Sequence, residues 1–162
     1  MMMAITLDGK IAKNSDHFPN WTSPEDKKEF FKISKEYGVV IMGEKTFQTF
    51  PSPLPNRLNV VFTFEKKLKP INNVRWVSGE PEKVIEELEK NGYQKAILGG
   101  GTHINTLFLE KNLIDELLIT IEPKIFGQGL SLFNGDFDKT LELTEIKKLN
   151  QNSILLKYKI IK

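Results

Sequence analysis

The sequence predicts an α/β fold, a mostly parallel sheet covered by helices on both faces and ending in an antiparallel hairpin. Three observations predict it. Apolar runs of strand length alternate with amphipathic segments through the first two thirds of the chain. The runs are continuously apolar, as in Val39-Val40-Ile41-Met42, which marks strands buried on both faces. After Asn112 the helical pattern stops and strands follow one another directly.

The elements follow in order. Residues 2–7 form a first apolar strand, and residues 8–20 a polar loop. A helix starts at Ser23, with Ser at the cap and Pro24 just inside it, and continues to Tyr37. At about 100° per residue, Asp26, Phe30, Ile33 and Tyr37 share a narrow stripe while the other charges lie outside it. Strand 39–42 leads through Gly43 into helix 44–50, and strands 58–64 and 74–77 precede helix 81–91. Strand 96–98 then runs into Gly99-Gly100-Gly101 and helix 102–111. Strands 114–122, 140–148 and 154–161 complete a set of about eight, with a turn over residues 149–153. No repeat or low-complexity linker divides the chain, so residues 1–162 read as one domain.

Composition narrows the function. The net charge of +2 comes from 23 basic and 21 acidic residues that are well mixed, which gives no nucleic-acid footprint. The lack of cysteine excludes disulfides, thiolate metal sites and cysteine nucleophiles. Two histidines, His17 and His103, cannot supply a zinc site alone. There is no 18-residue apolar run, and the start reaches Asp8 too soon for a signal peptide, so a cytoplasmic protein is expected.

Asp26 carries the most information, because a carboxylate on an apolar stripe costs several kcal/mol unless something pairs with it. One explanation is capping, since an acid three residues after Ser23 can close a capping box. The other is a ligand. Glycines at the two strand–helix junctions, Gly43 and Gly99 to Gly101, would let a phosphate approach the backbone next to a helix start. Each is equally compatible with a structural turn. Together they suit a long ligand with several phosphates.

Trp21-x-x-Pro24-x-Asp26 before Phe30, Met42-Gly43-Glu44-Lys45-Thr46-Phe47, and Pro53-Leu54-Pro55-Asn56-Arg57 resemble dihydrofolate reductase. So do the triple-glycine junction and Thr120 in a late strand, and the likeness runs from about Met1 to Leu132. Thr6-Leu7-Asp8-Gly9-Lys10-Ile11-Ala12 and Pro123-x-x-Phe126-Gly127-x-Gly129 are similar instead to the reductase domain of riboflavin biosynthesis, of the same superfamily. Divergent dimeric thermophile-type dihydrofolate reductases mix both sets.

The resemblance implies a three-layer sandwich, NADPH as cofactor, no metal, a small pterin or pyrimidine substrate and a homodimer. It implies that Asp26, supported by Thr120, binds the substrate ring and assists its protonation. Ala4, Trp21, Phe30, Phe50 and Leu54 would line the substrate pocket, and Arg57 would pair with the glutamate carboxylate of folate. Ile11, Ala12, Gly43, Lys45, Thr46, Thr63, Gly99, Gly100, Gly101 and Thr102 would hold the nucleotide, under a mobile lid at residues 8–20. Without the resemblance, Arg57 reads as a surface arginine, Thr120 as a β-former and Trp21 as core. Lys66, Lys67 and Lys69 read as a solvated face or as partners of the cofactor's 2′-phosphate. Glu44 and Phe64 stand where the family carries a basic residue and a serine, which weakens a strong preference for NADPH over NADH. Two activities follow: reduction of dihydrofolate, the leading expectation, and reduction of a ribosylaminopyrimidine phosphate, the alternative.

Overall fold

The computed structural model describes residues 1–64 and 69–162, so Lys66 and Lys67 lie outside the described residues. In chain order the elements are β1 (Met2–Thr6), β2 (Lys10–Ala12), α1 (Pro24–Tyr37), β3 (Val39–Gly43) and α2 (Glu44–Phe47). They continue with β4 (Leu58–Phe62), β5 (Val74–Val77), α3 (Pro81–Lys90), β6 (Ile97–Leu98) and α4 (Thr102–Glu110). β7 (Glu116–Glu122), β8 (Leu130–Ser131), β9 (Leu141–Lys148) and β10 (Ile154–Ile160) follow. Within the described residues, no helix is long and apolar enough to cross a membrane.

Parallel pairing joins β5-β4-β3-β6, and β1 pairs parallel with β7. β7, β10 and β9 are antiparallel, the expected hairpin end. The expected single sheet of about eight strands is divided into two ladders of four. The division falls where β6, only two residues long, gives way to the glycine junction. A further small ladder, β2 with β8, lies inside the expected lid, so part of residues 8–20 is strand.

Alternation along the strands sets up the three layers. Val39 and Ile41 of β3, with Leu117 and Ile119 of β7, pack with Val84 and Leu88 of α3 and Ile104 and Phe108 of α4. Val40, Met42 and Leu118 face the other way, toward Phe30, Ile33 and Tyr37 of α1. Both ladders therefore share each core, and helices cover both faces.

α1 begins where the sequence places it. The Ser23 hydroxyl accepts from the Asp26 N–H at 3.2 Å, and the helix ends at Gly38, whose φ of 74° closes it with a bond to the Ser34 carbonyl. At the other end of the chain, the Asn150 side chain accepts from Asn152 and Ser153 at 2.8 Å and makes the β9–β10 turn. β10 is an internal strand between β7 and β9. That position accounts for its apolar run without a second chain.

Candidate active site

The α1 face of the sheet receives every second residue of β7, and so takes Leu118, Thr120 and Glu122. Thr120 stands opposite Ala4 of β1 on one side and Leu155 of β10 on the other. Asp26, in the first turn of α1, lies over this surface and is only 8% exposed. Burial raises its carboxyl pKa above the ordinary value; the Thr120 hydroxyl opposes that shift and the Glu122 carboxylate adds to it. The Thr22 hydroxyl and Lys27 oppose it more weakly. Although Thr120 lies near enough to act on that charge, its buried hydroxyl completes no hydrogen bond of normal geometry. A buried carboxyl of raised pKa beside an unpaired hydroxyl suits the N–H edge of a heterocycle.

The capping explanation of Asp26 holds only in part. Its backbone N–H is capped by Ser23, but its carboxyl closes no capping box. Glu122, 99 residues away, accepts from the Ser23 N–H and hydroxyl instead, both at 2.7 Å. Glu122 and Ser153, which donates to it at 2.5 Å, are site-region residues that the sequence reading missed. A period of two from Thr120 is the signal that finds Glu122.

Aromatic residues lie in the hydrophobic cluster on this face of the sheet. Phe30 stacks on Phe50 with ring centres 6.3 Å apart, and its ring reaches to 3.8 Å from where a Cβ on Gly99 would stand. Leu54 is buried in the same cluster, its N–H bonded to Asn59 Oδ1 at 3.1 Å. Trp21 packs edge-on against Phe126 at 5.1 Å, and its buried indole N–H has no partner. His17 also meets the Phe126 ring edge-on at 5.3 Å, so loop 8–20 is clasped to the segment after β7. Asp8 strengthens that clasp, accepting from the N–H groups of Phe126 and Gly127.

Arg57 is buried at the far end of α1. Its Nε donates to the Pro55 carbonyl at 3.0 Å, and its Nη1 donates to the Phe31 carbonyl at 3.2 Å and to the Ser34 hydroxyl. Burial lowers the guanidinium pKa but leaves the group charged at neutral pH. Nη2 takes no part in these bonds. Ser34 is eight residues beyond Asp26, or roughly 12 Å along the helix.

The two glycine junctions meet side by side. The Gly43 N–H donates to the Gly100 carbonyl at 2.8 Å, and Gly99 N–H to the Ile41 carbonyl at 2.8 Å. A Cβ on Gly101 would stand 3.5 Å from Thr46 Oγ1, and one on Gly100 would meet the Met3 side chain at 2.8 Å. At the start of α4, Thr102 donates its hydroxyl to the Ser131 carbonyl at 2.6 Å. Gly43, Thr46 and Gly99 to Thr102 are the residues that could hold a dinucleotide at these junctions. Ile11 and Ala12 lie half-buried in β2, and Lys45 is exposed. Thr63 donates to the Glu44 carboxylate at 2.5 Å, so an acid stands at this junction. Lys69 is exposed. Among the described residues no cluster of acids and histidines could hold a metal.

Comparison with known proteins adds relatives to this geometry. The family model described as the RibD C-terminal domain matches residues 1–155. Over 105 residues, 64% of the chain, the sequence is 40% identical to a bifunctional dihydrofolate reductase-thymidylate synthase of Paramecium tetraurelia, covering 21% of it. Over 109 residues, 66% of the chain, it is 36% identical to a dihydrofolate reductase of Staphylococcus aureus, covering 62% of it. The chain thus spans about a fifth of the first relative and less than two thirds of the second. Among solved structures, a diaminohydroxyphosphoribosylaminopyrimidine deaminase/5-amino-6-(5-phosphoribosylamino)uracil reductase of Thermotoga maritima matches with a TM-score of 0.80. That match covers 99% of this chain and 55% of the other at 17% identity, a likeness of fold.

Proposed function

Since the chain belongs to the RibD C-terminal domain family, in the dihydrofolate reductase superfamily, we propose that it is an NADPH-dependent reductase of a ribosylaminopyrimidine phosphate. The observation that carries a ring-binding reductase is Asp26, buried beside the unpaired Thr120 hydroxyl. Family and fold neighbour favour the pyrimidine over dihydrofolate, reversing the order expected from sequence.

The cofactor, when bound, supplies the hydride. Asp26 accepts from the N–H edge of the pyrimidine through one oxygen. The ribosyl C1–O bond opens as the amine N–H proton passes to the departing ribosyl oxygen. The resulting C=N takes the hydride at carbon, and the Asp26 carboxyl, whose protonated form burial favours, gives the nitrogen its proton. Thr120 completes that edge contact. Phe30, Phe50 and Leu54 exclude water from the ring and orient it toward the glycine junctions.

Dihydrofolate is the second reading, and Arg57 favours it. A braced guanidinium roughly 12 Å along α1 from Asp26 suits a carboxylate at the far end of a long substrate. The two dihydrofolate reductase relatives add support.

One assay tests both readings: NADPH consumption with each substrate, for the native protein and for Asp26→Asn. The expected result is turnover with the pyrimidine, reduced roughly a hundredfold or more by Asp26→Asn at neutral pH. The loss should be smaller at acidic pH, where the substrate takes its own proton. Turnover with dihydrofolate alone moves the assignment to the second reading, and no turnover with either refutes both.

A further inference from the structure

We propose that Glu122 is a positioning residue for Asp26: it ties the first turn of α1 to β7 and so fixes where the acid meets the substrate. This rests on the proposed reading that Asp26 binds the substrate ring.

The geometry points to Glu122 in three ways. First, it is only 2% exposed, and no lysine or arginine pairs with it among the described residues. A buried carboxylate without a cation is costly to keep, and here its oxygens are satisfied by small donors alone. Second, those donors come from separate elements. Ser23 gives its N–H and hydroxyl from the start of α1, and Ser153 gives its hydroxyl from the turn before β10. Third, the Ser23 hydroxyl that donates to Glu122 is the same atom that accepts from the Asp26 N–H. An unbroken chain of hydrogen bonds therefore runs from β7 through the helix cap to Asp26.

The charged groups facing Asp26 are Glu122 from β7 and Lys27 from its own helix. On the sheet side, β1 contributes Ala4 and Thr6 and β10 contributes Leu155, none of which titrates. Glu122 thus acts on Asp26 twice, through the cap and through its charge.

Two substitutions separate these actions. Glu122→Gln keeps an acceptor for Ser23 and offers an N–H to Ser153, but removes the charge. Glu122→Ala removes both. The Asp26 carboxyl is titrated by carbon NMR in the protein without substrate or cofactor, and KM and kcat are measured with whichever substrate turns over. In Glu122→Gln the Asp26 midpoint should move to lower pH with KM within about twofold of the parent. In Glu122→Ala the midpoint should also fall, and kcat/KM should drop about tenfold, mainly through KM, because the acid is no longer held in place.

An Asp26 midpoint that moves in neither variant overturns the proposal. So does a folded Glu122→Ala protein with an unchanged KM, since a merely structural carboxylate would lower thermal stability and leave KM alone. If Glu122→Ala fails to fold, Ser153→Ala decides: it removes the brace on Glu122 but keeps its charge, so KM should rise while the Asp26 midpoint holds, and an unchanged KM overturns the proposal. The titration needs no substrate, so a wrong substrate assignment leaves it intact.

Discussion

Replacing Arg57 with methionine separates its role as a strut from its role toward a ligand. Methionine keeps much of the stem that lies against the Phe31 ring, whose centre is 5.6 Å from the guanidinium carbon. It removes the bonds to Pro55, Phe31 and Ser34. Ser34 remains satisfied, because its hydroxyl also donates to the Phe30 carbonyl at 2.5 Å. Three bonds at about 1 kcal/mol net each, less the bond that Ser34 keeps to Phe30, give a loss of about 2–3 kcal/mol. For a chain of this length that is a fall in Tm of roughly 5–10 °C, read by circular dichroism or calorimetry. KM for a substrate with an anionic end should rise about tenfold or more while kcat changes less. A Tm within a degree of the parent would refute the strut, and an unchanged KM would refute a ligand contact at Nη2.

Two further outcomes follow from the site. Asp26 has a raised pKa in the folded protein, so its charged form opposes folding above that pKa, and the penalty fades as pH falls through it toward the ordinary aspartate value of 3.8. Asp26→Asn should therefore be more stable than the parent at pH 7 and lose that advantage in acid, as melting curves against pH will show. Gly100 has φ of 90°, and although the Met3 side chain can move aside, an alanine there should cost about 1–2 kcal/mol in backbone strain. It should also weaken NADPH binding, measured by fluorescence quenching; unchanged stability and affinity would remove the glycine from the nucleotide site.

Local signals carried most of the fold. The Ser23-Pro24 start and the Asp26, Phe30, Ile33, Tyr37 stripe placed α1 and its buried acid, because both are properties of one helix. Val74–Val77 and the Asn150 turn were legible for the same reason. β2 and β8 were not, since strands of three and two residues carry too little alternation to stand out. The division into two ladders depends on how β6 ends, which is a matter of pairing and leaves no mark in composition. At the site, the Gly43 and Gly99 to Gly101 junctions were visible as motifs, while their mutual hydrogen bond was not. Glu122 escaped because an acid at the end of an apolar strand looks like its solvated terminus. Only the fold brings it under Ser23.

The pairing of β1 has a consequence for synthesis. Its parallel partner is β7, with Met2 opposite Leu118. β1 therefore waits during synthesis, apolar and without its ladder partner, until more than a hundred further residues have emerged. Contacts of such sequence separation form slowly and leave edges open to wrong partners in the meantime. The α1 and β3 region can assemble early, because its partners β4, β5 and β6 come in turn. Asp26 is thus made long before Thr120 and Glu122 exist to meet it. The nascent chain holds both glycine junctions before it holds the acid's surroundings, and β7 and the turn before β10 then bring Thr120, Glu122 and Ser153 up to a helix already made.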